Sequence, residues 1–223
     1  MIFDEHVAKN IAQFLLQIKA IKLETHEPFT WSSGMKSPIY CDNRILLSFP
    51  DIRNHVVYQL SKGIEHKIGL PDAIIGVATG AIGIGALVAN QLGLPFAYVR
   101  PQPKSHGQKN QIEGQIENNS KVVVIEDLIS TGKSSLQAVE AINKSIDAKV
   151  KAVASIFDYG FADTEVRFEN QNLDYFSLSN YDFLIKQAYE TNYLTKKDFE
   201  LLKNWRKDPE NWIKTFENGI KNR

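Results

Sequence analysis

The alternation of apolar and polar positions divides the chain into two regimes. Over roughly the first seventy residues the apolar side chains recur at helical spacing. Asp4 stands ahead of Val7, Ile11, Phe14, Leu15 and Ile18, which fall on one face of a helix that Asp4 can cap. Pro50 opens a second amphipathic helix through Val56, Val57, Leu60 and Ile64. Between the two lies a stretch punctuated by Pro and Gly, 27–43, where Phe29, Trp31 and Tyr40 interleave with polar residues. Beyond residue 70 short uninterrupted apolar runs appear at 73–78, 96–99, 122–125, 152–157 and 175–178, with helical patterns at 81–91 and 134–146. Unbroken runs mean strands covered on both faces, and their alternation with helices predicts an α/β fold with a mostly parallel sheet. Thr195 and Asp198 form a capping-box pattern for a last helix, read as a solvated appendage that packs through Phe199, Leu202 and Trp205.

Composition narrows the classes. With 223 residues the chain suits one substantial core. Basic and acidic residues balance at 26 each, so any anion-binding power must be local, and neither nucleic acid nor a membrane surface is expected as a partner. Cys41 is the single cysteine, which excludes an intramolecular disulfide framework and fits a reducing compartment. The acidic start, Met1-Ile2-Phe3-Asp4-Glu5, is unlike a signal peptide, and the apolar stretch 81–89 is far too short to span a bilayer; a cytoplasmic protein is expected. His6, His26, His55 and His66 show no metal-ligand spacing.

The strongest chemical signal follows the third apolar run. Glu126 and Asp127 precede Leu128, Ile129, Ser130, Thr131, Gly132, Lys133 and Ser134, a strand end turning into a helix. Backbone N–H groups at that helix start, with the hydroxyls of Ser130, Thr131 and Ser134, make a nest for a phosphate monoester. The two carboxylates suit sugar hydroxyls or a cation beside it. Asp127 occupies the place where a P-loop needs glycine, so a Walker motif is rejected. A second small-residue turn, Gly76-Val77-Ala78-Thr79-Gly80, offers another close backbone approach. A polar loop of lid-like length, 100–114, carries Arg100, Lys104, His106 and Lys109, cations suited to a diphosphate leaving group.

A ligand with a monophosphate, vicinal hydroxyls and a diphosphate satisfies all three segments, and phosphoribosyl pyrophosphate fits. Here the sequence resembles the type I phosphoribosyltransferases: four apolar residues, two acids, two apolar residues and a Thr/Gly turn, matched by 122–132 with one serine interposed. Within them it is similar to the orotate-specific branch. The loop Arg100…Lys104-Ser105-His106-Gly107 resembles that branch's lid, and Phe29-Thr30-Trp31-Ser32-Ser33-Gly34-Met35-Lys36-Ser37-Pro38-Ile39-Tyr40 resembles its hood segment. The similarity runs from about Asn10 to Phe157.

The resemblance implies a single domain: a hood over about 1–50, an α/β core over about 70–160 and a helical appendage over about 180–223. It implies phosphoribosyl transfer from phosphoribosyl pyrophosphate to orotate, with pyrophosphate released, in pyrimidine synthesis. Arg100, Lys104 and His106 would meet the pyrophosphate, with Thr79 and Gly80 also on the donor. Glu126 and Asp127 would hold the ribose hydroxyls, and Leu128 through Ser134 the 5′-phosphate. Lys104, His106 and Asp127 are the expected catalytic residues; Ser130, Lys36 and Tyr40 the orotate contacts. Mg²⁺ would be held mainly through the donor near Glu126 and Asp127, with no residue assigned as a direct ligand. The lid would cross to a second subunit of a homodimer. Ser32, Pro101 and Tyr159 stand where some branches carry basic residues, leaving Lys36 and backbone N–H groups to meet the orotate carboxylate. Two rivals are transfer to another base and a non-catalytic sensor of the same donor; a sugar-phosphate isomerase or kinase is more distant.

Overall fold

A computed structural model describes residues 1–31, 34–102, 111–209 and 211–212. In chain order the elements are α1 (Glu5–Gln17), β1 (Ile21–Leu23), β2 (Phe29–Thr30), β3 (Lys36–Ser37), β4 (Ile39–Cys41), a 3₁₀ helix (Asn43–Ser48) and α2 (Pro50–Lys67). There follow β5 (Ala73–Val77), α3 (Ile82–Leu92), β6 (Phe96–Val99), β7 (Ile112–Glu113), β8 (Ser120–Ile129) and α4 (Lys133–Ser145). The rest comprises β9 (Ala148–Asp158), α5 (Ala162–Asn170), β10 (Asp174–Asn180), α6 (Tyr181–Glu190) and α7 (Lys196–Lys207).

The expected starts are where the caps place them. Asp4 accepts from the Val7 N–H at 2.8 Å, Pro50 is the first residue of α2, and Thr195 and Asp198 complete a reciprocal capping box. Periodicity does not mark α5, whereas α6 falls inside the helical stretch expected over about 180–223. Only Thr164 and Phe168 of α5 are buried, so its pattern is sparse. Asn180 caps α6 directly from the end of β10, with no intervening turn signal.

Six strands form one sheet in the order β10-β9-β8-β5-β6-β7, parallel except for β7, which pairs antiparallel with β6. From β5 the chain moves outward through β6 and β7, then returns to the other side of β5 as β8 and proceeds to β9 and β10. The β5/β8 junction is therefore the switch point, where the turns leaving two neighbouring strand ends diverge and open a crevice. Successive side chains of β8 serve opposite faces. Val123 and Ile125 join a core built with α1, α2, α3, α6 and α7, and Val122 and Val124 join one built with α4 and α5.

One expected boundary moves. The β8 strand does not stop at the two acids but runs through them to Ile129. Parallel pairing with β9 continues alongside, from Glu126↔Ser155 to Ile129↔Asp158, so ladder bonds carry the strand past its apolar run.

The N-terminal strands form two small antiparallel pairs, β1 with β4 and β2 with β3. They are fastened to the last helix, which is more than a solvated attachment. Trp205 and Leu202 are fully buried. The Trp205 ring lies 6.0 Å from Trp31 and Phe161, 6.2 Å from Tyr159 and 5.4 Å from Tyr181. Thr25 also donates its hydroxyl to Asp198 at 2.6 Å. Phe199 is only partly buried and stacks on Tyr189 at 5.0 Å.

Candidate active site

The site is assembled from the ends of β5 and β8. Gly132 takes φ +74° at the head of α4, a left-handed conformation that suits glycine. A Cβ there would also lie 2.9 Å from Phe168. Inward ties hold the turn: Tyr159 N–H donates to the Ile129 carbonyl at 3.0 Å and the Thr164 hydroxyl to the Ser130 carbonyl at 2.7 Å. With its carbonyls anchored below, the turn presents the first N–H groups of α4 at a helix terminus. The side chains of Thr131, Lys133 and Ser134 are exposed, and Ser130 and Leu128 are half-buried. Ile129 is buried, so only its backbone could meet a ligand.

The Glu126 and Asp127 side chains interact with each other, yet their other surroundings differ. Glu126 is 4% exposed; its Oε2 accepts from the Ser135 hydroxyl of α4 at 3.1 Å and its Oε1 from the Asp127 N–H at 3.3 Å. Burial, then the neighbouring Asp127 charge, pushes its pKa up to about 8. Asp127 is half-buried and its pKa is also raised, by burial first. Its carboxylate lies against Gly80 so closely that a Cβ on Gly80 would overlap it. The two turns expected to serve one ligand thus touch, through Gly80 and Asp127. Thr79, beside them, is exposed, and the Ala78–Thr79 peptide is cis.

Arg100 ends β6 at the base of the expected lid. Its N–H donates to the Gln111 carbonyl and its carbonyl accepts from Gln111 Nε2, both at 2.8 Å. Its guanidinium sits 3.4 Å from Glu113. Arg100, Ala78 and Ser134 line a cleft of about 60 Å³. Lys104, His106 and Lys109, the other lid cations, lie outside the described residues, as do Ser32 and Ser33 of the hood.

The expected base contacts separate. Lys36 is exposed and donates to the Thr30 hydroxyl at 2.7 Å, and Tyr40 is 40% exposed with its ring 5.7 Å from Phe29. A larger cavity, about 530 Å³, is lined by Met35 of the hood, Thr131 of the turn, Gly160 and Phe161 after β9, and Arg206 of α7. Neither Lys36 nor Tyr40 is among its lining residues.

Two polar residues that hold this arrangement were not legible in the sequence. Asn43 is buried and donates from Nδ2 to the Asp127 carbonyl at 2.7 Å, linking the 3₁₀ helix to the acidic pair. Arg206 donates to the Gly160 carbonyl at 3.3 Å and pairs with Asp182 at 3.0 Å. A lone Asn in Cys41-Asp42-Asn43-Arg44 gives no periodic or motif signal. In Trp205-Arg206-Lys207 only the burial of the tryptophan distinguishes one basic neighbour from the other.

Among the described residues no cluster of three or more His, Cys, Asp or Glu could hold a metal, and no helix is long and apolar enough to cross a membrane. The phosphoribosyl transferase domain model matches residues 51–190, from α2 through α6. An orotate phosphoribosyltransferase of Porphyromonas gingivalis is 50% identical over 206 residues, 92% of this chain and 98% of that protein. One from Listeria monocytogenes serotype 4b is 49% identical over 208 residues, 93% and 99% of the two chains. The crystal structure of orotate phosphoribosyltransferase from Aeropyrum pernix superposes with a TM-score of 0.71 at 26% identity, covering 83% of this chain and 99% of that one. With a phosphate turn at the switch point, an acidic pair against the second turn and relatives alike over nearly their whole length, this chain belongs to the phosphoribosyl transferase domain family and, within it, to the orotate phosphoribosyltransferases.

Proposed function

We infer that this chain transfers the 5-phosphoribosyl group of phosphoribosyl pyrophosphate to orotate, forming orotidine 5′-phosphate and pyrophosphate. The observation that carries this reading is the contact between Asp127 and Gly80, which sets the diol-binding acids of one strand end against the backbone of the other. The 5′-phosphate takes the nest at Ser130 through Ser134, the ribose hydroxyls donate to the acidic pair, and the diphosphate reaches the cleft lined by Arg100 and Ala78. A ring nitrogen of orotate loses its proton to solvent and bonds to the anomeric carbon as the carbon–oxygen bond to pyrophosphate breaks, the bonding electrons leaving with pyrophosphate. Positive charge develops on the ribose in between. Arg100, with Lys104 and His106 from the lid, offsets the negative charge gathering on the leaving group. The lid acts on the site of a second copy in a homodimer, and the enzyme works in the cytoplasm.

Mg²⁺ fits the donor set in one way. Among the described residues the carboxyl pair has no third protein ligand beside it, which suits a cation that arrives on a diphosphate and keeps most of its water. Asp127 and Glu126 would hold it, and it would supply charge neutralisation on the diphosphate and ribose oxygens.

The test follows orotate's ultraviolet absorbance with purified protein, phosphoribosyl pyrophosphate and Mg²⁺, beside parallel assays with uracil, hypoxanthine and adenine. Consumption of orotate alone supports the reading. Turnover of another base instead would overturn the choice of acceptor while leaving the phosphate site intact, and donor binding without any turnover would make the chain a sensor.

A further inference from the structure

We propose that Arg206 of α7 is the residue that recognises the carboxylate of the acceptor base, an inference that rests on orotate being that base. Orotate is an anion at neutral pH, and a carboxylate entering a partly desolvated cavity needs a fixed cationic partner. The cavity of about 530 Å³ between the hood and the phosphate turn has two cations in its lining, Arg206 and Lys207. Lys207 is exposed. The Arg206 side chain is 31% exposed and held from two sides, by the Gly160 carbonyl and by Asp182. Both of those contacts use Nη1. Among the described residues Nε and Nη2 have no hydrogen-bond partner, so one edge of the planar fork remains for a bidentate carboxylate.

The backbone is shaped for this guanidinium. Gly160 has φ +66°, and a Cβ there would sit 3.1 Å from Arg206 Nη1. The N–H of Gly160 donates to Asp158 at 2.8 Å, which turns the carbonyl of the same residue toward the arginine. Two acids also line the cavity. Asp208 accepts from the N–H and Nδ2 of Asn211, and Asp163 is exposed in the first turn of α5. Neither is paired with Arg206. Thr131 shares this lining, so the base would lie beside the turn that grips the 5′-phosphate, as transfer to the anomeric carbon requires.

The test compares wild type with Arg206→Gln and Asp182→Asn in the full chain. Steady-state constants for orotate and for phosphoribosyl pyrophosphate are measured separately, with inhibition by the neutral amide of orotate as a charge control. Arg206→Gln should lower kcat/KM for orotate about 10- to 100-fold, leave KM for the donor within about threefold, and weaken the amide far less than orotate. Asp182→Asn, which removes the surface ion pair but keeps the guanidinium, should stay within about threefold on every constant. Equal use of orotate by wild type and Arg206→Gln would overturn the assignment. So would a matching loss in Asp182→Asn, or a parallel rise in donor KM, because either marks a structural role alone. If Arg206→Gln shows no cooperative unfolding transition, Arg206→Lys keeps the charge without the fork. A selective loss for orotate of about fivefold or more is then expected, and wild-type constants overturn the proposal. A wild-type protein that consumes no orotate would instead defeat the reading of the base, whatever the variants do.

Discussion

Replacing Glu126 by glutamine tests whether the acidic pair is held in the protonation state its burial implies. The side chain is 4% exposed, and burial followed by the Asp127 charge raises its pKa from the ordinary 4.5 to about 8. Below about pH 4.5 folded and unfolded chains both hold the proton and nothing is lost. Between that pH and about 8 the unfolded chain releases a proton that the folded protein retains. Stability therefore falls as pH rises through this window and levels off above it. At about 1.4 kcal/mol for each pH unit the ceiling is about 5 kcal/mol. Movement of the shared proton to Asp127 and entry of water should leave about 2–3 kcal/mol. For a chain of this length that corresponds to roughly 5–10 °C in Tm. Glutamine preserves the shape and a partner for the Ser135 hydroxyl but cannot ionise. Thermal unfolding of ligand-free wild type and Glu126→Gln, scanned from about pH 5 to about pH 9, should show nearly equal midpoints at the acid end and a growing advantage for the variant toward the alkaline end. A difference that stays constant with pH, or one that favours wild type as pH rises, would refute the reasoning.

Three other perturbations probe separate parts of the molecule. Gly80→Ala places a methyl group on the Asp127 carboxylate, whose backbone is fixed in β8 and by Asn43; kcat/KM should drop about 10²-fold while unfolding midpoints shift by only a few degrees, and retained turnover would show that the carboxylate can swing aside harmlessly. Trp205→Ala should lose about 3–5 kcal/mol in urea unfolding, whereas a loss under about 1 kcal/mol would make α7 peripheral after all. Lys104→Ala should lower kcat by about 10² or more if the lid neutralises the leaving group. Mixing it with Asp127→Asn subunits should restore partial activity if the lid serves a second copy, and no recovery despite demonstrated subunit exchange would count against a shared site.

The features legible in the sequence are those generated by neighbours along the chain. Asp4, Pro50 and the Thr195–Asp198 box mark helix starts because capping is satisfied within one turn. Unbroken apolar runs mark β5, β8 and β9 because parallel strands are covered on both faces. The phosphate turn is legible for the same reason, since its donors are consecutive N–H groups between one strand and one helix. Their order also implies that ligands gather at the strand ends. What only the tertiary structure decided involves residues far apart in sequence. Glu126 is buried within a continuing strand because Ser135 of α4 and the β9 ladder satisfy it there. Asp127 meets Gly80 because strand order makes β5 and β8 neighbours. Arg206 reaches the cavity of Met35 and Thr131 because Trp205 is fully buried among the rings of Trp31, Tyr159 and Tyr181. Local patterning specifies caps and strands through bonds closed within a few residues, but which side chains share a cavity depends on how the helices pack across the sheet, and that packing has no period in the sequence.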